Sequence, residues 1–406
     1  MGHAHTLFSQ MTERLYYGDS YLTSFDADVV ALRSVDGAIA AVLSRTAFFP
    51  TSGGQPHDVG TLDGAQVIDV RDDGEVILHV VTQSIAGQVH GTIDWRRRFD
   101  HMQQHTGQHI LSQAARRALG AQTLSVHFGD EVCTLDLDRS ELTPDAAAAC
   151  EDLANGIVFE DRPVHVRQVD ESELPALGLR RPAKTQGLIR IVEVAEFDRS
   201  ACGGTHVRHT GEVGCIKVRR WERHRGGVRL EFLCGWRALR EYRWKSLLVA
   251  DLAASLTVAE REVPDAVART SAQLRARERT VSELLDRLLA REAADLLAGS
   301  SGAPALVAAV VSHPADEAAV LAARLTASES CVAILGADGG RLIIARSADV
   351  ALDARAVLRQ ALERHDGRGG GGRPEFAQGA VAAGQVTDAV ETARTVAAGL
   401  LARAER

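Results

Sequence analysis

Residues 100–109 read DHMQQHTGQH, and this stretch decides how the middle of the chain folds. Asp100 is a typical helix N-cap, and Gln103 stands where the partner of a capping box would lie. Gly120 is a typical C-terminal stop. The stretch therefore predicts a helix that begins near Asp100 and ends at Gly120.

Two histidines of this helix, His105 and His109, are four residues apart, so their imidazoles share one helix face. Alone, such a pair is more typical of ordinary surface or core histidines than of a metal site. A second pair, Cys202 and His206, occurs in ACGGTH at residues 201–206, where two adjacent glycines suit a tight loop. Three imidazole nitrogens and one thiolate form a ligand set that suits Zn²⁺.

The chain before this helix is rich in short runs of Val and Ile that Gly, Asp and Pro separate, which predicts a small β-barrel or a meander. Between two of these runs lies the loop PTSGGQP at residues 50–56, whose glycines allow a close approach of the backbone. We assign residues 1–95 to an N-terminal β-barrel domain. The predicted strands cover 38–49, 66–71, 75–81 and 88–93.

The chain after the helix mixes helical and strand-like segments. Thr143, followed by Pro144 in the first turn, predicts a second helix. Residues 96–235 therefore read as an α+β domain with a largely antiparallel sheet that carries the zinc ligands. Its predicted strands cover 163–169, 188–194, 213–219 and 228–233.

The remainder is predicted to hold a linker and a further domain. Residues 236–300 have a helical pattern, and Pro264 is expected to begin a second helix after a break, which gives a helical hairpin. Residues 301–406 alternate strands and helices and form a small α/β domain. A glycine run at 369–372 is interpreted there as a loop that precedes Arg373 and the last helix.

The 406-residue chain carries a net charge of −8, which argues against a protein covered by nucleic-acid-binding surface. Its basic residues nevertheless cluster between residues 219 and 245. That cluster is either a solvated strand edge and helix face or a local patch that meets a phosphate backbone.

Cysteine content and hydropathy limit the cellular locations that the sequence is compatible with. Six cysteines in a chain of this length do not form a disulfide scaffold. No stretch of about twenty apolar residues is present, and the first ten residues lack the basic and apolar regions of a secretory signal. We therefore expect a cytoplasmic protein without a membrane partner.

Taken together, HTGQH at 105–109 and CGGTH at 202–206 resemble the editing domain of alanyl-tRNA synthetases and of the freestanding AlaX proteins. Thr46 and residues 48–58 resemble the barrel domain that precedes this editing core. Residues 369–378 are similar to the DHHA1 domain at the C-terminus of those synthetases. The order matches the long AlaX form, and no segment resembles the aminoacylation core, so the resemblance implies editing without charging.

The resemblance also implies a site and a substrate. One Zn²⁺ would bind His105, His109, Cys202 and His206, which would form the catalytic centre of an aminoacyl-tRNA deacylase. The substrate would be alanine tRNA that carries serine or glycine by mistake. Because four protein ligands leave a tetrahedral zinc no open position, we expect one ligand, His206, to be loosely held.

Serine must be accepted and alanine rejected, which requires a hydrogen-bond partner for the serine hydroxyl. By resemblance, Thr46 is the best candidate, although an ordinary strand threonine is equally compatible with the sequence. Gly54 and Gln55 would either line the same pocket or shape a turn. Ser125 and His127 alternate along a predicted strand and would point to one side of it; a buried, satisfied histidine is the other interpretation of His127.

Contacts with tRNA are also implied by the resemblance. The glycine run would bind the tRNA backbone through its amides, with arginines on either side. A homodimer through the C-terminal part is a further expectation. The predicted tRNA-binding residues are Arg368, Gly370, Gly371 and Arg373.

Three other functions stay open at this point. The first is a non-catalytic tRNA-binding protein that has a structural zinc. The second is a DHH-type phosphodiesterase, which needs a clustered Asp-His-His that the nearest segment, Asp100-His101-Met102, does not complete. The third is editing of threonine tRNA, which the barrel motif and the DHHA1-like segment disfavour.

Overall fold

The computed structural model describes residues 11–182, 188–327 and 330–404 of the chain. By internal contacts the chain divides into two compact units, Met1–Leu252 and Ala253–Arg406. The first unit contains the strands that begin the chain and the predicted zinc ligands. The second contains a long helix and a smaller α/β fold.

The first half of unit 1 is a closed ring of six antiparallel strands in the order β2-β3-β7-β6-β5-β8. Residues alternate between buried and exposed along β8, as expected for strands with one face on a core. Two further short strands, β1 and β4, pair with each other outside the ring. The strands of this part are β1 (Glu13–Arg14), β2 (Ser24–Val35), β3 (Ala38–Leu43), β4 (Arg45–Thr46), β5 (Gly60–Leu62), β6 (Ala65–Asp73), β7 (Val76–Val81) and β8 (Gln88–Ile93).

Helix α1 follows the ring and is almost completely buried along its middle. Its N-cap lies six residues earlier than predicted: Asp94, not Asp100, is the cap, and its side chain accepts the N–H of Arg97. Asp100 is instead bound by the guanidinium of Arg237. The predicted end is correct, because Gly120 adopts the left-handed conformation at the C-cap.

The rest of unit 1 covers α1 with antiparallel sheets, as the α+β prediction requires. One sheet has the order β14-β15-β10-β9 and the other β11-β12-β13. Thr143 caps α2 as predicted. The elements are α1 (Trp95–Leu119), β9 (Thr123–Phe128), β10 (Cys133–Leu137), α2 (Pro144–Phe159), β11 (Val164–Asp170), α3 (Leu174–Leu177), β12 (Leu188–Val194), β13 (Asp198–Ala201), β14 (Ile216–His224), β15 (Gly227–Cys234) and α4 (Gly235–Leu256).

Unit 2 contains a five-stranded sheet in the order β16-β17-β18-β20-β19, in which only β16 and β17 are parallel. Pro264 lies in the first turn of α5, as predicted. The elements are α5 (Val263–Ala298), β16 (Ala305–Val310), α6 (Ala315–Leu325), β17 (Cys331–Ala337), β18 (Arg341–Arg346), α7 (Ala354–Arg364), β19 (Arg368–Arg373), β20 (Phe376–Ala380) and α8 (Val386–Ala404).

The glycine run is part of a strand and not a loop, which corrects the prediction. Gly369–Gly372 lie within β19, an exposed edge strand that pairs with β20. Pairing with β20 fixes the backbone of these glycines, which have no side chains that could pack. Glycine content alone therefore misled the sequence interpretation.

Candidate metal centre

Four potential ligands come together from two elements of unit 1. Helix α1 supplies His105 and His109, and the loop after β13 supplies Cys202 and His206. One ligand atom from each lies within 4.8 Å of all the others. The sulfur of Cys202 lies 3.3 Å from Nε2 of both His105 and His206.

Two glycines make this convergence possible. A Cβ on Gly204 would lie 2.2 Å from Cε1 of His105, so only glycine lets the loop approach the helix. A Cβ on Gly107 would lie 2.2 Å from the sulfur of Cys234, which fixes α1 closely against β15. The glycines of both motifs therefore serve close packing.

Each histidine is oriented through its Nδ1 atom. That atom lies 2.8 Å from Oε1 of Gln55 for His105, and 3.2 Å from Oδ2 of Asp198 for His109. Nδ1 of His206 lies 3.1 Å from the hydroxyl of Thr106. In all three residues this leaves Nε2 for a metal, the usual arrangement of metal-binding histidines.

The loop that carries Cys202 is held by a buried arginine. Nη1 of Arg190 donates to the carbonyl oxygens of Cys202 and Gly204, at 2.9 and 2.7 Å. Gln55 also contributes, because its Oε1 accepts the N–H of Thr205 at 3.1 Å. The loop is thus held by Arg190 of β12 and by Gln55 of the loop between β4 and β5.

The site favours an ionised thiol. Burial raises the pKa of Cys202, but the facing His105 and His206 bring that pKa well below the ordinary value. Burial lowers the pKa of His109, yet Asp198 and then Cys202 raise it to about 9. Burial, with a smaller contribution from His105, lowers the pKa of His206 to about 3. The thiolate is the form of Cys202 that binds a metal, whereas His109 has to release its extra proton when an ion binds.

His206, expected to be the loosely held ligand, is 2% exposed and bonded to Thr106. Cys202 is the only one of the four that is more than slightly exposed. Burial and hydrogen bonding therefore do not single out His206 as the weakest ligand.

A cavity of about 640 Å³ opens onto His105, His109 and Cys202. This volume lies within the range of about 300–1,000 Å³ found for small-ligand sites. Its lining combines polar and basic side chains with a smaller number of apolar ones. Further lining residues include Gln108, Val126, Phe128, Gln168, Arg180 and Ile189.

The predicted cargo-binding residues are not all at this cavity. Gln55 is 1% exposed and acts on His105. A Cβ on Gly54 would lie 3.5 Å from the ring of Phe128, so this glycine packs against a cavity wall. Ser125 and His127 are exposed and absent from the lining, because strand alternation turns Val126 and Phe128 toward the cavity instead.

Thr46 is fully buried in β4 and does not line the cavity. Its hydroxyl accepts the N–H of Phe48 at 3.0 Å and lies 2.8 Å from Nε2 of His79. Nδ1 of His79 lies 3.1 Å from the carbonyl of Ala41 and must donate to it, so Nε2 accepts from Thr46. Burial lowers the pKa of His79 to about 4, which keeps the ring neutral.

Most of the basic cluster between residues 219 and 245 is neutralised. Arg223, Arg225 and Arg243 make no ion pair with a described residue, and Arg240 lies 4.0 Å from Asp100. The remaining cations are bound to carboxylates. These pairs are Arg219–Glu241, Arg220–Glu231, Arg229–Asp136, Arg237–Asp100 and Lys245–Glu241.

In unit 2, the glycines of β19 line a cleft of about 550 Å³ together with Arg355 and Arg359 of α7. Gly370 and Gly371 are among these glycines. Arg368 and Arg373, at the two ends of β19, are exposed but do not line the cleft.

Two residues of the metal centre were missed by the sequence interpretation. Asp198 binds His109, and Arg180 donates to Asp198 at 2.8 Å. Asp198 is 89 positions from His109 along the chain, so no local pattern of the sequence indicates the pair.

Among the described helices, none is long and apolar enough to cross a bilayer.

Comparisons with known proteins agree with this architecture. The sequence profile of the threonyl and alanyl tRNA synthetase second additional domain matches residues 189–231, and that of the DHHA1 domain matches residues 281–399. The fold and site thus define a protein class in which a synthetase-type additional domain is combined with a DHHA1 domain.

Alanyl-tRNA editing protein AlaX-L of Pyrococcus horikoshii is 31% identical over 388 residues, which cover 89% of this chain and 93% of that protein. The chain belongs to the family of alanyl-tRNA editing proteins, in its long AlaX form. Alanine–tRNA ligases are also similar: that of Pyrobaculum aerophilum is 35% identical over 91% of this chain. The chain spans 42% of the length of that ligase.

Proposed function

We propose that this protein is a zinc-dependent deacylase that hydrolyses the ester of alanine tRNA mischarged with serine or glycine. The observation that carries the proposal is the convergence of three imidazoles and one thiol, within 4.8 Å, at a cavity. The relative of which this chain covers 93% is an alanyl-tRNA editing protein by name.

The donor set fits zinc. Nitrogen and sulfur ligands in a compact, buried cluster are typical of Zn²⁺, and oxygen-preferring cations would find no carboxylate among the four. When bound, such an ion supplies Lewis-acid chemistry that polarises a carbonyl and lowers the pKa of a water. His105, His109, Cys202 and His206 are the proposed ligands.

The chain's own residues provide orientation and exclusion of water. Gln55 holds Nδ1 of His105, and Asp198 holds Nδ1 of His109, so both Nε2 atoms face one point. Phe128, whose ring centroid lies 5.0 Å from that of His105, forms an apolar wall beside the reacting ester. Gly54 is proposed to shape this wall, and Gln55 is proposed to position the metal ligand His105.

Thr46 is proposed to bind the hydroxyl of the serine that the tRNA carries. Its oxygen has two acceptor sites, of which the N–H of Phe48 takes one. Donation to His79 fixes the hydrogen, so the second acceptor site is the group left for a serine O–H. Thr46 is fully buried. The proposal therefore requires that the serine side chain enters beneath the wall of the cavity to reach it. The Thr46→Val variant should lose discrimination between serine and alanine esters while its zinc content stays unchanged.

Contact with tRNA is proposed for unit 2. The exposed edge strand β19 leaves every second backbone amide unpaired, so one of Gly370 and Gly371 offers a free N–H, and Arg368 and Arg373 add positive charge at its ends. The domain boundaries at residues 95, 235 and 300, a homodimer through residues 301–406 and a cytoplasmic location stay predictions. In this scheme the six-stranded ring corresponds to the family's barrel domain.

A tRNA-binding protein with a purely structural zinc would have the same ligands, so activity must decide. The test is hydrolysis of seryl-tRNA(Ala) by the full chain, with and without a chelator, and by His105→Ala. The proposal expects activity that both treatments abolish. Zinc-loaded, folded protein without hydrolysis would contradict it. A phosphodiesterase role gains no support, because Asp100 is bound by Arg237.

A further inference from the structure

A second cleft of unit 1 lies between the first turns of α1 and the first turns of α4. Its volume is about 730 Å³, and it shares no lining residue with the cavity at the metal centre. Aromatic and basic side chains dominate its walls. They include Trp95, Phe99, Trp236, Arg96, Arg97 and Arg240.

An unsatisfied histidine lines this cleft. His101 is 4% exposed, and its Nδ1 is fully buried without a hydrogen-bond partner among the described residues. Buried polar atoms in folded proteins are nearly always satisfied, and an exception calls for a ligand or another explanation. Burial, followed by the charges of Arg97 and Arg237, lowers the pKa of His101 to about 3. A neutral imidazole offers one donor and one acceptor, which suits the edge of a nucleobase.

Two tryptophans present flat surfaces at the cleft. Trp236 is 55% exposed and Trp95 is 36% exposed, although the whole chain has only four tryptophans. Trp95 is held in place by the rings of Phe99 and Tyr21, at centroid distances of 5.2 and 5.3 Å. Exposed aromatic rings beside arginines are the usual stacking platforms for unpaired bases.

The charges favour an anion. Four arginines and three aspartates line the cleft, but Asp100 is bound by Arg237 and Asp94 caps α1. Arg96 makes no ion pair with a described residue, and Arg240 has only Asp100 at 4.0 Å. Asp94, which keeps its charge, and Asp130 are the remaining acids, so four arginines against three aspartates leave one net positive charge.

The positive charge continues along α4. Arg240 and Arg243 follow Trp236 by four and seven residues and therefore share its helix face. Arg243 is exposed and lies outside the cleft. A charged face that extends beyond the cleft suits the successive phosphates of a chain better than a single nucleotide.

We propose that this cleft binds one unstacked nucleotide of an RNA chain, with its base on Trp236 and its phosphate on Arg240 and Arg96. His101 would then hydrogen-bond the base edge. The inference rests on the proposed function for the identity of the RNA, which would be the tRNA substrate. It adds a binding point separate from the metal centre.

The experiment measures the Kd of uncharged alanine tRNA for the full chain, by fluorescence anisotropy, with paired variants. Trp236→Ala is compared with Tyr242→Ala, which removes an exposed aromatic ring from another face of the same helix, outside the cleft. Loss of a stacking platform should raise Kd about ten-fold or more, whereas Tyr242→Ala should stay close to wild type.

A second pair tests the phosphate contact. Arg240→Ala should reduce the slope of log K against log salt by about one. Arg223→Ala removes an exposed arginine from β14 and should leave that slope unchanged. His101→Leu should weaken RNA binding without lowering the melting temperature, since it removes a buried unsatisfied atom.

Equal Kd values for Trp236→Ala and Tyr242→Ala would overturn the inference, as would binding of AMP at this cleft without binding of RNA. Failure of this inference can be told apart from failure of the proposed function. A wild-type protein that hydrolyses no seryl ester would refute the deacylase, whereas the Kd comparison uses uncharged RNA.

Discussion

Oε1 of Gln55 lies 2.8 Å from Nδ1 of His105, and this contact links the loop between β4 and β5 to helix α1 at the metal centre. The same oxygen accepts the N–H of Thr205, so it is the carbonyl oxygen of the side chain and His105 donates to it. Gln55 thereby fixes both the tautomer of His105 and the loop that carries Cys202 and His206.

Removal of this side chain should weaken zinc binding. In Gln55→Ala, His105 loses the acceptor that orients it, and loss of such a partner typically lowers metal affinity about 10–100-fold. Gln122→Ala, at an exposed position, is the matched control. Competition with a chromogenic chelator measures both, and equal affinities would show that Gln55 does not support the site.

Asp198 should also support zinc binding, because it orients His109 as Gln55 orients His105. Its carboxylate binds His109 and Arg180 while being completely buried. Asp198→Asn preserves the shape but removes the charge, and we expect zinc affinity to fall about 10–100-fold. Asp145→Asn, an exposed acid in the first turn of α2, should leave the affinity unchanged. Wild-type zinc retention by Asp198→Asn would contradict the assignment.

A buried ion pair joins α1 to the loop after β4. The side chains of Arg98 and Asp58 are 1% and 0% exposed, and Arg98 also donates to the carbonyls of Ser20 and Ala47. Asp58→Asn leaves a buried guanidinium without its counter-charge, which should lower the free energy of unfolding by about 3–5 kcal/mol.

The exposed pair Arg33–Asp73 provides the control for this effect. Asp73→Asn should cost at most about 1 kcal/mol, because solvent screens a surface pair. Urea denaturation measures both variants. Similar midpoints for Asp58→Asn and Asp73→Asn would rule out a large contribution from the buried pair.

His79 predicts a specific dependence of stability on pH. Burial lowers its pKa from 6.5 in the unfolded chain to about 4 in the folded state. The unfolded chain therefore takes up a proton first, so the contribution is complete above pH 6.5 and is lost as the pH falls toward 4. At pH 5 the loss from this residue should be about 2 kcal/mol.

His79→Leu should flatten this dependence, since the variant has no imidazole to protonate. The measurement is the free energy of unfolding by urea at pH 7 and at pH 5, for wild type and variant. The difference between the two pH values should be smaller in the variant by about 2 kcal/mol. Parallel curves would mean that His79 is not kept neutral by burial.

The sequence predicted those parts of the structure that depend on local spacing. The pair His105 and His109 lies on one helix face because four residues make about one turn, and Gly120 ends that helix because it tolerates the left-handed conformation. Both follow from the geometry of the backbone alone.

The remainder depends on contacts between distant segments. Asp94 and Asp100 are equally good caps in isolation, and the choice depends on Arg237, which lies 137 positions after Asp100 and binds it. The glycines of β19 are ordered by pairing with β20, and Ser125 and His127 turn away because Val126 and Phe128 take the cavity face. Local patterns do not contain this information.

The most direct test of the account is parallel deacylation of alanine tRNA charged with serine, glycine or alanine by the zinc-loaded protein. We expect rapid loss of serine or glycine, little loss of alanine, and no activity after zinc is removed or in His105→Ala. Hydrolysis of all three esters at one rate, or hydrolysis that persists without the metal, would contradict it.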